Sequence, residues 1–219
     1  MSFAALPLLY LTWDASTVAL ADFIRYQVYR RVLGATDWSK VARINDRAVT
    51  FYQDFNVAAG VEYEYAVTQV KDVSGEEVES AFPTGVSATV TLVSSFLHDV
   101  AVPANYAEFD VNQQLDIGQS VGFVQPWSRQ VPTMHVGNVE TKALSLRIGP
   151  LHWEMESGTW DALVSLQSRQ RTSGVLLCYR DQRGSRVFCQ LTQLGKGEAE
   201  VRADINVGLR EVYYREEVD

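Results

Sequence analysis

The sequence has few cysteines and histidines, which are common metal ligands and catalytic residues. Its 219 residues include two cysteines and three histidines. The histidines (His98, His135 and His152) lie far apart, and none begins a two-ligand spacing such as HExxH. The cysteines show no zinc-type spacing either. We therefore expect no metal site and no cofactor.

Several motifs of catalysis and phosphate binding are also missing. The chain has no G-x-S-x-G nucleophile elbow, no phosphate-binding loop and no G-x-G-x-x-G. Glu154 and Glu156 lie two apart in a predicted strand and would share one face, but the carboxylate pairs of glycosidases normally come from separate elements. We interpret them as the solvated side of that strand. The sequence thus predicts a protein that is not an enzyme.

Positive charge is scarce relative to negative charge. The chain has 19 Lys and Arg against 27 Asp and Glu, a net charge of −8. This balance argues against nucleic acid as the main partner. No apolar run approaches the roughly 18 residues of a membrane span, and Phe3–Leu11 lacks the basic flank and cleavage site of a secretory signal. We expect a chain that binds neither nucleic acid nor membrane.

What the first half does contain is a series of short strands. Predicted strands cover Leu8–Trp13, Ile24–Arg31, Val41–Ile44, Val49–Phe55, Glu62–Val70 and Val86–Val93. Alternation of apolar and polar residues is typical of an antiparallel sheet with one solvated face. Strands at this spacing predict a β-sandwich of about 90 residues.

Four short motifs stand out in this half. They are the Tyr26-x-Val28-Tyr29-Arg30 run, Thr50-x-Tyr52-x-Asp54, Gly60-x-x-Tyr63-x-Tyr65-x-Val67, and the Ser74-Gly75-Glu76 turn with Ser80. With these motifs the half resembles a fibronectin type III domain of the bacterial or phage kind. The resemblance implies that Trp13 is the core tryptophan of the second strand. It also implies that Tyr63 is the tyrosine-corner residue, whose hydroxyl bonds back to the chain.

The first strand of that family is missing or much shortened, since only about seven residues precede Leu8. An uncovered sheet edge leaves backbone groups unpaired. Either a neighbouring chain or the second domain covers the edge, or a short strand from Ser2 to Ala5 does so.

The second half combines strands with one short helix. Predicted strands include Gln119–Val124, Lys142–Ile148, Leu151–Met155, Glu198–Val207 and Leu209–Tyr214. Trp160, Leu163, Val164 and Gln167 have helical spacing, which predicts a helix over Ser157–Gln170. Trp127, Tyr106 and Phe109 are candidate exposed aromatics, and a sugar-binding platform would need them on one surface.

A hairpin follows the predicted helix, over Val175–Leu194. Two β-rich runs flank a short loop centred on Arg183-Gly184, where Gly184 can adopt a positive φ. In this register Cys178 faces Cys189. We interpret the two cysteines as a reduced, buried pair, with a cross-hairpin disulfide as the alternative.

The order of strands, helix, Arg-rich hairpin and final strands resembles the split β-barrel of distal-tail, hub and other tail-tip proteins of long-tailed bacteriophages. The residues that carry this resemblance are Trp160, Leu163, Leu177, Leu191, the segment Tyr179-Arg180-Asp181-x-Arg183-Gly184-x-Arg186, and Glu211-Val212-Tyr213. The expected fold is all-β, with a fibronectin-type sandwich over residues 1–93 and a split-barrel-like assembly domain with one short helix over residues 94–219.

The polar hairpin tip is the candidate subunit interface, formed by Arg180, Asp181, Arg183, Arg186 and Glu211. Arginine's planar guanidinium suits carboxylates of a neighbouring subunit, and the chain carries such carboxylates at Glu211, Glu216, Glu217 and Asp219. Head-to-tail contacts of this kind close into a ring if the rotation allows. The alternative is a solvated loop whose Arg–Asp pair contributes little.

The resemblance implies a structural subunit of a phage tail tip or baseplate. Such a subunit would form a ring with copies of itself and contact other tail proteins, with the fibronectin module projecting outward. It would assemble in the cytoplasm of the host bacterium and remain in the virion. The alternative functions are a module that binds host-surface polysaccharide and an accessory fragment of a secreted glycan enzyme.

Overall fold

The chain is all-β apart from one helix, as the sequence predicts. The computed structural model describes residues 6–124, 133–151, 153–197 and 203–218, which contain fourteen strands and one helix. They form two compact units. The first comprises Met1–Val93, Arg180–Arg186 and Tyr214–Asp219, and the second comprises Ser94–Tyr179 and Val187–Tyr213. The first unit therefore includes the hairpin loop and the C-terminal segment, which the sequence analysis had assigned to the second domain.

The first unit contains two antiparallel sheets. Its strands are β1 (Leu9–Thr12), β2 (Phe23–Val32), β3 (Ser39–Ile44), β4 (Phe51–Asp54), β5 (Glu62–Val73), β6 (Glu76–Glu79) and β7 (Val86–Thr89). Strands β1 and β4 form one sheet. The other has the order β3-β2-β5-β6, and β7 also pairs with β5. This is the predicted sandwich, with a strand, β6, that the sequence analysis did not identify.

The period of β2 explains how the sandwich core forms. Tyr26 and Val28 are buried on one face of the strand, which is the pattern expected when alternate residues point inward. Arg30 continues the same face and is also buried. A charged side chain therefore occupies a core-facing position of β2. A buried charge requires hydrogen-bonding or ionic partners.

The fibronectin resemblance singles out two residues, of which Tyr63 makes the expected bond, whereas Trp13 follows β1 and lies outside the strands. The Ala58 N–H donates to the Tyr63 hydroxyl at 3.1 Å, which is the expected tie from the tyrosine to the preceding chain. Trp13 packs edge-on against Tyr26, with ring centroids 5.4 Å apart, and is half-buried.

Strand β1 lies at a sheet edge in the described part of the chain. Within the described residues β1 pairs with β4 alone. The short strand expected at Ser2–Ala5 lies outside the described residues.

The second unit is one open sheet with a helix packed on it. Its elements are β8 (Ser95–Asp99), β9 (Tyr106–Phe109), β10 (Val111–Val124), β11 (Thr133–Leu151), α1 (Trp153–Ser173), β12 (Leu177–Arg180), β13 (Arg186–Lys196) and β14 (Ala203–Glu211). The sheet order is β10-β11-β14-β13-β12-β8-β9. The strands described here do not close on themselves, so the split-barrel expectation becomes an open seven-stranded sheet.

The helix begins earlier and ends later than predicted. It covers Trp153–Ser173, so the strand predicted at Leu151–Met155 is wrong beyond Leu151. Five residues are too few for alternation alone to distinguish a strand from the first turns of a helix. The helix ends where Gly174 takes a φ of 64° and donates its N–H to the Gln170 carbonyl at 3.0 Å.

The helix buries its apolar face on the sheet. Leu163 and Leu166 of α1 belong to a core with Leu146, Ile205 and Leu209 of the sheet, and all five are at most 1% exposed. Because these side chains have almost no contact with water, they supply the main hydrophobic stabilisation of this unit.

Candidate functional site

The hairpin loop is organised by Asp181. The Asp181 N–H donates to the Ser185 carbonyl at 3.1 Å, and the Gly184 N–H donates to the Asp181 carbonyl at 3.3 Å. Gly184 has a φ of 86°. The loop is therefore Gln182–Gly184, a type of three-residue turn that ends in a left-handed glycine, and not the shorter turn centred on Arg183-Gly184.

The Asp181 side chain stabilises the same loop. Its Oδ1 accepts the backbone N–H groups of Arg183 at 2.9 Å and Ser185 at 2.8 Å, and the residue is 2% exposed. An aspartate that bonds to the backbone two residues later is a common means of fixing a turn. The structure thus gives Asp181 a local structural role.

Arg180 is fully buried, with a relative exposure of 0%. Its guanidinium donates from Nη1 to the Val57 carbonyl at 3.1 Å and from Nη2 to the Pro7 carbonyl at 2.8 Å. Backbone carbonyls, not carboxylates of a neighbour, receive these bonds. Arg180 therefore fastens the hairpin loop to the N-terminal part of the first unit.

Arg186 pairs with an acidic residue of the C-terminal segment. Its Nη1 donates to Glu216 Oε2 and to the Asn56 carbonyl, each at 2.7 Å. The sequence analysis expected the hairpin arginines to meet the acidic C-terminal residues of another copy. In the structure Arg186 and Glu216 meet within one chain.

Glu216 also joins a buried ion cluster. Its Oε2 accepts from Arg30 Nη2 at 2.7 Å, and Arg30 Nη1 donates to Asp54 Oδ2 at 2.7 Å. The Tyr65 hydroxyl donates to the same Asp54 oxygen at 2.9 Å. We call Arg30, Asp54, Tyr65, Arg186 and Glu216 the ion cluster. Its two arginines balance its two carboxylates, as burial of charge requires.

The electrostatics of the cluster raise the pKa values of Arg30 and Tyr65. Burial lowers the pKa of Arg30, but the charges of Asp54 and Glu216 and their hydrogen bonds outweigh it, so the pKa is raised. Burial and the Asp54 charge raise the pKa of Tyr65. A permanently charged guanidinium and a neutral phenol cannot move protons at ordinary pH. The cluster is suited to holding segments together and not to acid–base chemistry.

The sequence contained a signal for this cluster. Arg30 stands in phase with Tyr26 and Val28, so its burial follows from the alternation of β2. Asp54 and Glu216 were not identified as its partners, because nothing in their local sequence indicates a contact with a residue 24 or 186 positions away.

The remaining proposed interface residues differ in exposure. Arg183 is exposed at the tip of the loop, and Glu211 is half-buried at the end of β14. Of the five residues assigned to the interface, Arg183 is thus the one with an exposed side chain. A role in subunit contacts remains a prediction for all five.

The two cysteines are buried thiols in the second unit. Burial, with a smaller contribution from Cys178 and Glu211, raises the pKa of Cys189 well above its ordinary value. A thiol that is buried and protonated is a poor nucleophile and a poor metal ligand. In the hairpin loop described above, Asp181 bonds to Ser185. This pairing of the two strands differs by one residue from the predicted register, in which Cys178 faces Cys189.

The other candidate residues do not converge on a site. Phe109 is 4% exposed and Tyr106 is half-buried against Phe96, so they do not form an open platform, and Trp127 lies outside the described residues. Glu154 and Glu156 lie on the helix. The described part of the chain holds no group of three His, Cys, Asp or Glu suited to a metal ion, and no helix in it is long and apolar enough to cross a membrane.

The sheet of the second unit has a long edge strand. Strand β10 has 14 residues and, among the described strands, pairs with β11 alone. At the other end of the sheet β9 has 4 residues, and α1 contacts it, with the Thr159 hydroxyl bonded to the Glu108 carbonyl at 3.4 Å. The helix therefore contacts the β9 end of the sheet, whereas no second described strand pairs with β10.

No protein-family model matches the chain, and no curated protein matches it.

Proposed function

We propose that the chain is a structural subunit of the tail tip or baseplate of a long-tailed bacteriophage, where copies of it form a ring at the distal end of the tail tube. In this proposal it has no catalytic role and needs no cofactor. Its partners are further copies of itself and other tail proteins. The proposal combines the resemblance of the sequence to tail-tip proteins with one structural observation, the open edge of β10.

The length of β10 is what supports assembly. A strand of 14 residues rises about 3.3 Å per residue and therefore spans about 45 Å, with N–H and C=O groups directed outward at every second residue. Natural monomers usually keep edge strands short, bulged or covered, because an open edge pairs with other chains. Strand β10 has one register irregularity, between Gln119 and Val121, which leaves most of its length regular.

The geometry of edge pairing between copies decides the form of the assembly. If β10 pairs with a different surface of the next copy, the contact is head-to-tail, and its repetition gives a ring where the rotation closes and a filament where it does not. Pairing of β10 with β10 would instead give a two-fold dimer. The mass of the assembled species therefore distinguishes a ring from a dimer.

The experiment is light scattering after size-exclusion chromatography, over a range of protein and salt concentrations. We expect a discrete species of more than two copies. Two proline variants test the role of the edge. In an antiparallel edge strand the N–H groups of adjacent residues point to opposite sides, so one of Gln113→Pro and Gln114→Pro removes an outward N–H and the other removes a bond to β11.

The two variants serve as matched controls for each other. The outward proline should abolish assembly and leave the melting temperature of the monomer nearly unchanged, while the inward one should lower that temperature. A wild-type protein that stays monomeric at every concentration, or an assembly that survives both substitutions, would contradict pairing through β10.

A further inference from the structure

A small cleft in the first unit arises from an interrupted strand. Strand β6 ends at Glu79 and β7 begins at Val86, and both pair with β5. The last regular bond before the gap joins the Ser80 N–H to the Gln69 carbonyl at 2.9 Å. Pro83, which lacks an N–H, lies in the gap. The chain therefore leaves β5 between the two strands.

The cleft has a volume of about 250 Å³ and lies between the loop Trp13–Thr17 and the segment Ser80–Pro83. Its inner surface includes Ser16, Tyr26 and Thr68, which are at most 7% exposed. The two walls, in contrast, carry exposed residues. The cleft is thus closed at its floor and open at its rim, and it is smaller than the pockets of roughly 300 Å³ or more that hold drug-sized ligands.

Trp13, one of the residues that line the cleft, has a donor that lacks an acceptor. The Trp13 indole N–H is buried and makes no hydrogen bond to the described residues. An N–H left in this state is unfavourable for folding. A ligand oxygen that reached this N–H would supply the missing acceptor.

Other groups on the rim have hydrogen-bonding capacity to spare. The Asp14 carboxylate and the Thr17 hydroxyl are exposed and make no hydrogen bond within the described residues, and Gln69 uses its Oε1 to accept from the Ser16 hydroxyl at 2.6 Å. The Gln69 amide can still donate two hydrogens. Donors and acceptors therefore surround an opening that is also lined by the Trp13 ring and Pro83.

The charge of the lining selects the class of ligand. Among the described residues, no Lys, Arg or His lines the cleft, and Asp14 is the single charged residue that does. Phosphates and carboxylates would find no cation there. Hydroxyl groups, in contrast, can donate to Asp14 and accept from Thr17, Gln69 and Trp13, while an aromatic wall packs against the C–H face of a ring.

We propose that this cleft binds one uncharged sugar residue, as the end or side branch of a glycan. The proposal concerns the first unit alone and does not depend on the proposed tail-tip role, since a monomer can bind a sugar and a ring subunit need not.

The test is a titration of the full-length chain with glucose, galactose, mannose, rhamnose and N-acetylglucosamine, followed by ¹H–¹⁵N NMR of the indole N–H groups. The chain has five tryptophans, and the Trp13 signal is assigned as the one that disappears in Trp13→Phe. At least one sugar should shift the Trp13 signal in a saturable manner. The Trp38 signal, assigned in the same way with Trp38→Phe, should not move.

Rim variants separate binding from folding. Asp14→Ala and Thr17→Val remove groups that make no internal hydrogen bond, so each should leave the melting temperature unchanged and weaken binding about tenfold. Asp37→Ala, in the exposed β2–β3 loop, is the control and should bind as the wild type does.

Three results would overturn the proposal. One is that no sugar of the panel shifts the Trp13 signal at high millimolar concentration. Another is that the shift is unchanged in both rim variants. The third is that tetramethylammonium shifts the signal and the sugars do not, which would indicate a site for organic cations formed by Asp14 and the aromatic wall.

Discussion

At the residue scale, the charged side chains of the hairpin tip divide into internal and external ones. Arg180 and Arg186 donate to backbone carbonyls and to Glu216 in their own chain, whereas Arg183 is exposed. Arginine suits the internal role because its fork of donors can satisfy two acceptors at once. A cluster of arginines in a sequence is thus compatible with contacts inside the chain and with contacts to other chains. The exposure of each arginine in the structure distinguishes the two.

Substitutions of Glu216 and Glu217 test how much the ion cluster stabilises the fold, because the two residues are adjacent in sequence and differ in burial. Glu216 bonds to Arg30 and Arg186, and its side chain is 16% exposed. Glu217 pairs with Arg215 at the surface, which lowers the pKa of Glu217. Glu216→Gln should reduce the free energy of unfolding by about 2 kcal/mol, because two charge-assisted bonds are weakened.

Glu217→Gln is the matched control and should leave stability within error, since exposed ion pairs contribute little. Urea unfolding followed by tryptophan fluorescence measures both variants. Equal effects of the two substitutions would show that the cluster does not stabilise the fold.

At the scale of elements, the helix depends on tertiary packing more than on its own sequence. Its residues include Gly158 and Thr159, which favour helix weakly, and its N-terminal part was predicted as strand. Contacts with the sheet stabilise the helix where its own residues favour helix only weakly. Leu163 and Leu166 are buried against it, and the Gln170 side chain bonds to both the N–H and the carbonyl of Leu191, next to the register irregularity in β13.

Leu163→Ala tests this packing, with Val164→Ala as the neighbouring control. Leu163 is 0% exposed and Val164 is 40% exposed. Loss of the buried leucine should cost about 2–5 kcal/mol, because it removes apolar contacts and leaves a cavity. The control should cost well under half as much. Chemical denaturation followed by far-ultraviolet circular dichroism gives both values, and similar losses would mean that the helix is not held by this face.

At the scale of the whole molecule, the proposed assembly has an electrostatic part and a backbone part. The backbone part is the edge of β10. The electrostatic part is Arg183, whose exposed guanidinium can meet the carboxylates of an acidic copy with a net charge of −8. Screening by salt weakens contacts between exposed charges, so the two parts respond differently to salt.

Arg183→Glu should shift the assembly equilibrium toward monomers and leave the melting temperature nearly unchanged. Sedimentation velocity at low and high salt measures the first effect, and differential scanning calorimetry measures the second. Arg183→Gln, which removes the charge without reversing it, should give an intermediate shift. If the melting temperature fell together with assembly, Arg183 would stabilise the fold of the monomer and would not be an interface residue.

The sequence by itself determined the elements whose signals are local. Alternation in Ile24–Arg31 and Glu62–Val70 predicted β2 and β5, because the two-residue period of a strand is set by its own backbone. Tyr63 was identified as the corner residue by resemblance, and its bond spans only five residues. The buried thiols likewise follow from their place in an apolar hairpin.

Tertiary structure alone decided the contacts between distant residues. The ion cluster joins Arg30 to Glu216, and the hairpin loop and the C-terminal segment belong to the first unit. The seven strands of the second unit, as far as the structure describes them, form an open sheet and not a barrel. The gap between β6 and β7 forms a cleft only because the loop Trp13–Thr17 lies opposite. The physical reason is that charge pairing and cavity shape depend on which segments meet in space. The periodicity of residues along the chain does not specify which distant segments meet.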